Sequence, residues 1–198
     1  MSDEEKLAES IEKASHILVV QADNPDGDSL GSAIALEQIL TGLGKEVTMY
    51  CAVNIPVHLH YLTGWSRVTG DLPNNFDLSI IVDTSSAGLL EKINGLNQIK
   101  TKPCVILDHH QTEGTIDFAS LVINRPVVAT GELIYDLAKA LNWQLNQEAS
   151  EMLAISILSD SLGLMSKATT SNSIRIIADL VDGGCQPNTY RYSTARGL

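Results

Sequence analysis

Three short runs along the chain are apolar and β-branched almost throughout: His16-Ile-Leu-Val-Val20, Ser79-Ile-Ile-Val-Asp83 and Cys104-Val-Ile-Leu-Asp108. A strand covered on both faces reads as a continuous run of this kind and not as an alternation, so all three are predicted to be interior strands. A fourth strand fits Glu46-Val-Thr-Met-Tyr50, and a weaker fifth lies near Ser120-Leu-Val-Ile123. Between them the apolar period turns helical, as from Leu30 to Leu43, where Gly44 supplies a C-terminal stop. Strands alternating with helices imply a parallel sheet. The expected fold is therefore α/β, a three-layer αβα arrangement around a mainly parallel sheet of about five strands.

Downstream the pattern changes. Gly131 to Asn142, Asn146 to Ser159 and Ser171 to Asp182 read as three consecutive helices, the last stopped by Gly183-Gly184. They are expected to cover the sheet and close its far edge. Beyond Asp182 no acidic residue follows and no apolar period is visible. Residues 1–186 are thus expected to form one catalytic domain, and 187–198 the start of a linker to a further, absent domain.

Composition narrows the function classes. Of 198 residues 44% are hydrophobic and 19% charged, which suits a globular protein with one sizeable core. No run of about 18 apolar residues occurs. The opening Met-Ser-Asp-Glu-Glu-Lys is acidic where a secretory signal is basic and then apolar, so a cytoplasmic location without membrane partners is expected. Cys51, Cys104 and Cys185 are scattered and odd in number, which suggests neither a disulfide framework nor a paired-cysteine zinc site. A formal net charge of −11 argues against gripping long nucleic acid through many phosphate contacts and leaves small phosphate compounds or short oligonucleotides as partners.

Ligands of an open parallel sheet bind beyond the carboxyl ends of its strands. The first strand leads into Gln21-Ala-Asp-Asn-Pro-Asp-Gly-Asp-Ser-Leu-Gly-Ser32, another ends in Asp83-Thr-Ser-Ser, and another in Asp108-His109-His110. A further acid, Asp160, closes an apolar helical stretch. Taken singly, each has a structural reading: Asp26 and Asp28 as turn and N-cap residues, Asp83 as a cap, the His pair as an exposed loop or a core contact, Asp160 as a solvated helix end. Together they place five carboxylates, Asp26, Asp28, Asp83, Asp108 and Asp160, on one rim, where mutual repulsion calls for cations. Oxygen donors with a minority of imidazole suit manganese or magnesium and leave iron, cobalt and zinc open. Two ions about 3.5–4 Å apart can share a bridging carboxylate and activate a water between them, which is an arrangement for phosphoester hydrolysis.

Asn24-Pro-Asp-Gly-Asp-Ser-Leu-Gly-Ser32, the Asp83 segment, Asp108-His109-His110 and Asp160-Ser-Leu-Gly163 resemble, in order and spacing, the four motifs of the DHH phosphoesterases. The likeness spans roughly residues 17–184 and is greatest to the nanoRNase and pAp-phosphatase branch, with RecJ-like exonucleases and family II pyrophosphatases more distant. The resemblance implies metal-dependent hydrolysis of phosphoesters in small nucleotides or short oligonucleotides, two Mn2+ ions per chain, and room for a homodimer. Asp28, Asp83, His109 and Asp160 are implied to hold one ion, Asp26 and Asp83 the other, with Asp83 bridging. Asp108 is implied to support the pair from behind, and His110 to face the substrate phosphate.

Two departures stand out. Where the family carries a histidine four residues before the counterpart of Asp26, this chain has Ala22, which weakens that ion's site and leaves Asp23 or Gln21 as substitutes. The smaller glycine-rich domain that follows the family's catalytic domain has no counterpart after Asp182. A degenerate metal- or nucleotide-binding domain without turnover, a pyrophosphatase and a non-enzymatic scaffold are the alternative readings.

Overall fold

The computed structural model describes residues 1–185, so the expected linker from 187 lies outside the described residues. Five strands form one sheet: β1 (His16–Val20), β2 (Glu46–Tyr50), β3 (Leu78–Val82), β4 (Cys104–Asp108) and β5 (Leu121–Asn124). Their order is β2-β1-β3-β4-β5 and every pairing is parallel. Three strands match their expected bounds. The other two are displaced by one residue, so that Asp83 stands just beyond β3.

Strand alternation sorts the core into two layers. Ile17, Val19, Ile80, Val82, Val105 and Leu107 join one apolar cluster, which also takes Leu7, Leu36, Leu133, Ile155 and Leu180. Those last five belong to α1 (Asp3–Lys13), α2 (Gly27–Gly42), α4 (Thr130–Ala140), α5 (Gln147–Asp160) and α6 (Ser171–Asp182). Leu18, Val20, Ile81 and Ile106 face a thinner cluster with Phe76, Leu90 and Ile99, roofed by short turns and by α3 (Leu96–Lys100). The sheet is thus covered on both faces, as the unbroken apolar runs require, but unequally. Among the described residues no helix is long and apolar enough to cross a membrane.

α2 and α5 are the innermost helices. From Gly27 to Leu36 every residue of α2 is buried, because α4 and α5 cover the sides that β1 and β2 leave free. Close approach is made possible by glycine at two contacts. A Cβ on Gly31 would stand 2.8 Å from the Met152 carbonyl oxygen of α5, and one on Gly131 would stand 2.0 Å from Ser156 Oγ. α2 also begins earlier than its apolar period suggests. Asp26 is the N-cap: its carboxylate accepts from Ser29 N at 2.9 Å, and Ser29 Oγ accepts from Asp26 N at 2.9 Å. This reciprocal cap extends the helix back to Gly27 and carries Asp28 into its buried first turn.

Candidate metal centre

The strand order reverses direction at β1, whose neighbours β2 and β3 are reached by connections running opposite ways, so the carboxyl ends of β1 and β3 open a crevice. The expected residues converge there. β1 leads to Asp26 and Asp28, β3 to Asp83, β4 to Asp108, His109 and His110, and the C-terminal end of α5 to Asp160.

His109 is the centre of the arrangement. Its Nε2 is buried, has no hydrogen-bond partner, and lies 3.4 Å from Asp28 Oδ2, 3.4 Å from Asp83 Oδ1 and 3.4 Å from Asp160 Oδ2. Its Nδ1 is 3.2 Å from the Val127 carbonyl oxygen, which can only accept, so Nδ1 carries a proton and Nε2 is the ring atom that faces the three acids. Donors about 2.1 Å from a shared ion stand about 3.0–3.4 Å from each other in octahedral or tetrahedral geometry, so this spacing fits a divalent cation.

The acids are built into the protein interior. Asp28 is fully buried and accepts from Thr130 N at 2.8 Å, Gly131 N at 3.3 Å, Ser32 Oγ at 3.0 Å and Ser156 Oγ. Thr130 Oγ1 donates to Asp83 Oδ1 at 3.0 Å. Asp83 itself has φ 61°, a left-handed backbone that Asp tolerates better than most residues and that marks strain held by its surroundings. Of these supports only Ser32 lies in one of the four motif segments that sequence singles out. Ser156 in particular is one serine inside an apolar helix, with no local signal.

Burial, and then the repulsion of Asp160, raises Asp28 to about 6, and burial with the repulsion of Asp28 pushes Asp83 higher still. His109 is moved the other way from what burial favours, because Asp160 and Asp83 outweigh the loss of solvent and hold it protonated well above the usual range. Clustered carboxylates that retain protons, around an imidazole that gains one, are a site short of positive charge.

Asp108 has a different part. It is fully buried, and its Oδ1 accepts from His109 N at 2.8 Å, His110 N at 3.2 Å and His110 Nδ1 at 2.8 Å. Burial raises its pKa, but the donors from His110 and Ser85 outweigh that and keep it below the ordinary carboxylate value. An ionised Asp108 fixes the turn that presents both histidines, and the half-exposed His110 ring is held by Nδ1 with Nε2 left open.

Asp26 is exposed at the mouth, close enough for its charge to raise Asp83. Ala22 is buried and brings no donor. Of its neighbours, Asp23 Oδ2 accepts from Lys92 N at 2.8 Å, and Gln21 is wholly buried.

A family model described as the DHH family, N-terminal domain, matches residues 16–159. The chain belongs to the DHH family. A protein of Mycoplasma pneumoniae named as a bifunctional oligoribonuclease and PAP phosphatase is 25% identical over 156 residues, covering 77% of this chain and 48% of that protein. A probable manganese-dependent inorganic pyrophosphatase of Enterococcus faecalis is 25% identical over 175 residues, covering 85% of this chain and 55% of that one. Among solved structures, an exopolyphosphatase-related protein from Bacteroides fragilis superposes with a TM-score of 0.86 at 20% identity, over 99% of this chain and 61% of that chain, and so shares its fold. This DHH chain spans about half the length of the curated relatives it matches.

Proposed function

We propose that this DHH domain hydrolyses phosphoester bonds in small nucleotides or short oligonucleotides with the help of manganese. The observation that carries the reading is the buried, unpartnered Nε2 of His109 at equal distance from three carboxylates. Asp28, Asp83, His109 and Asp160 would hold one ion, and Asp26 with Asp83 would face a second. When bound, such ions polarise a phosphoryl group and acidify a water for attack on phosphorus.

The remaining steps belong to the chain itself. Thr130, Ser32 and Ser156 orient the Asp28 and Asp83 oxygens by hydrogen bonds that leave one lobe of each turned toward His109. Asp108 accepts the Nδ1 proton of His110 and so turns the Nε2 edge outward, where a protonated ring donates to a phosphoryl oxygen and stabilises its added charge. The net charge of −11 favours small substrates over long strands, and the named activity of the Mycoplasma relative agrees with that size class.

The test is hydrolysis of a ribodinucleotide, pAp and pyrophosphate by manganese-loaded protein, with Asp83→Ala as control. Release of nucleotide from the first two, lost in Asp83→Ala, is expected. Turnover of pyrophosphate alone would instead select a pyrophosphatase, and no turnover with any divalent metal would overturn the proposal.

A further inference from the structure

The rim offers an ion two adjacent positions, and they are unequally built. On one side Asp28, Asp83 and Asp160 oxygens each lie 3.4 Å from His109 Nε2, and the donors of Asp28, His109 and Asp160 lie within 4.8 Å of one another. Asp28 and Asp83 among them are buried and locked by hydrogen bonds. On the other side stands Asp26, exposed and with Oδ1 occupied by the Ser29 N–H as the helix cap. Asp83 is shared with the first position. Ala22 contributes only a methyl group, and its carbonyl oxygen is turned toward Cys51 Sγ at 3.5 Å.

The residues that could replace a missing donor do not converge on this position: Asp23 keeps an unpartnered Oδ1 but belongs to neither cluster of acid and imidazole donors lying within 4.8 Å of one another. Asp23 Oδ2 is bound to Lys92 N and the Asp23 N–H to the Leu89 carbonyl, which ties that residue to the turn after β3. Gln21 is buried completely with both amide atoms unpartnered, and its neutral oxygen is a weaker donor than the carboxylates of the first position. His110 Nδ1 lies 3.8 Å from Asp83 Oδ1, but it is already bound to Asp108 at 2.8 Å, and recruiting it would break the contact that orients the ring.

Affinity for a divalent ion follows the number, charge and rigidity of the donors. We infer that the protein retains a single divalent ion tightly, at Asp28, Asp83, His109 and Asp160, and that Ala22 leaves the neighbouring position beside Asp26 too poor in ligands to keep a second. This inference rests on the metal-dependent reading above and refines it. A second ion, where turnover needs one, has to arrive from solution with the phosphate substrate. The expected separation of the two affinities is about 10- to 100-fold, on the scale by which one supporting group changes metal binding.

Counting ions tests this without any assay of turnover. The full chain is loaded with manganese, dialysed against metal-free buffer, and its manganese per chain measured together with its EPR spectrum. One ion per chain with the signal of an isolated Mn2+ is expected, rising to two with a spin-coupled signal in Ala22→His. Asp26→Asn, which keeps a good cap, is expected to retain one ion, and Asp160→Ala none. Two retained ions in the unaltered protein overturn the inference, as does Ala22→His that folds by circular dichroism and still keeps one. Should Ala22→His fail to fold, the counts for the unaltered chain and Asp26→Asn still decide. No ion at all in the unaltered protein overturns this inference and the metal-dependent function together, whereas one ion without turnover overturns only the function.

Discussion

The backbone N–H of Thr130 donates to Asp28 Oδ2 across 2.8 Å, although 102 residues separate the two in sequence. Ala129, at the N-cap of α4, has no side chain able to cap, and the N–H groups of Thr130 and Gly131 turn to the carboxylate at the start of α2 instead. One buried acid thereby closes the positive end of a second helix while keeping an oxygen toward His109.

Ser156 is the hinge of that contact. Its hydroxyl donates to Asp28 Oδ1 and accepts from Gly131 N at 2.9 Å. Ser156→Ala removes both bonds from a buried place and is expected to destabilise the metal-free protein by about 1–3 kcal/mol, measured by urea denaturation. A loss below a few tenths would mean that water or a neighbour takes over the hydroxyl's part.

Two glycines of α2 separate packing from backbone freedom. At Gly31 a methyl group meets the Met152 carbonyl at 2.8 Å, so Gly31→Ala is expected to cost about 1–3 kcal/mol by forcing α2 and α5 apart. At Gly42 nothing stands within 4 Å, and Gly42→Ala is expected to gain about 0.4–1 kcal/mol through the unfolded chain. Thermal melts of the two variants should move in opposite directions.

Acidity and metal should compete for the same oxygens. Burial and mutual repulsion raise Asp28 to about 6 and Asp83 to about 9, above the ordinary carboxylate range. The native metal-free state therefore binds protons that the unfolded chain has released, and linkage makes its stability fall as pH rises from about 4 through those values. His109, raised above 6.5, contributes in the same sense. The melting temperature of stripped protein is expected to drop between about pH 5 and about pH 9, and manganese to flatten that slope by replacing protons with an ion. A melting temperature that climbs over this interval without metal would contradict the charge arrangement.

Asp108 holds both histidines through its Oδ1. Asp108→Asn keeps an acceptor for one N–H but weakens the grip on His110 Nδ1, and turnover is expected to fall about 10- to 100-fold while manganese per chain stays unchanged. Parallel measurement of kcat and metal content would expose Asp108 as a ligand if both fell together.

Much of this was legible in the chain because its signals are local. A strand buried on both faces leaves an apolar run wherever it occurs, and Asp83 and Asp108 close two such runs, while Asp160 closes an apolar helix. What stayed hidden depends on partners distant in sequence. α1 buries only Leu7 and Ile11 and is announced by the reciprocal cap of Ser2 and Glu5, a pattern easily passed over in an acidic opening. Ser156 and Gly131 look like ordinary helix residues until α2, α4 and α5 are brought into contact. Asp26 satisfied two readings at once, as cap and as rim acid, and only the commitment of its Oδ1 to Ser29 separates them.

His109 Nε2 and the three carboxylates around it come from chain positions 28, 83, 109 and 160, in α2, at the ends of β3 and β4, and at the end of α5. A ribosome therefore releases Asp28 long before Asp160, and a partly synthesised chain has no complete ion pocket. On the proposed reading, capture of an ion would follow the docking of α5 onto α2, so loading would be a late event in the life of each new molecule and a chemical report that its folding is complete.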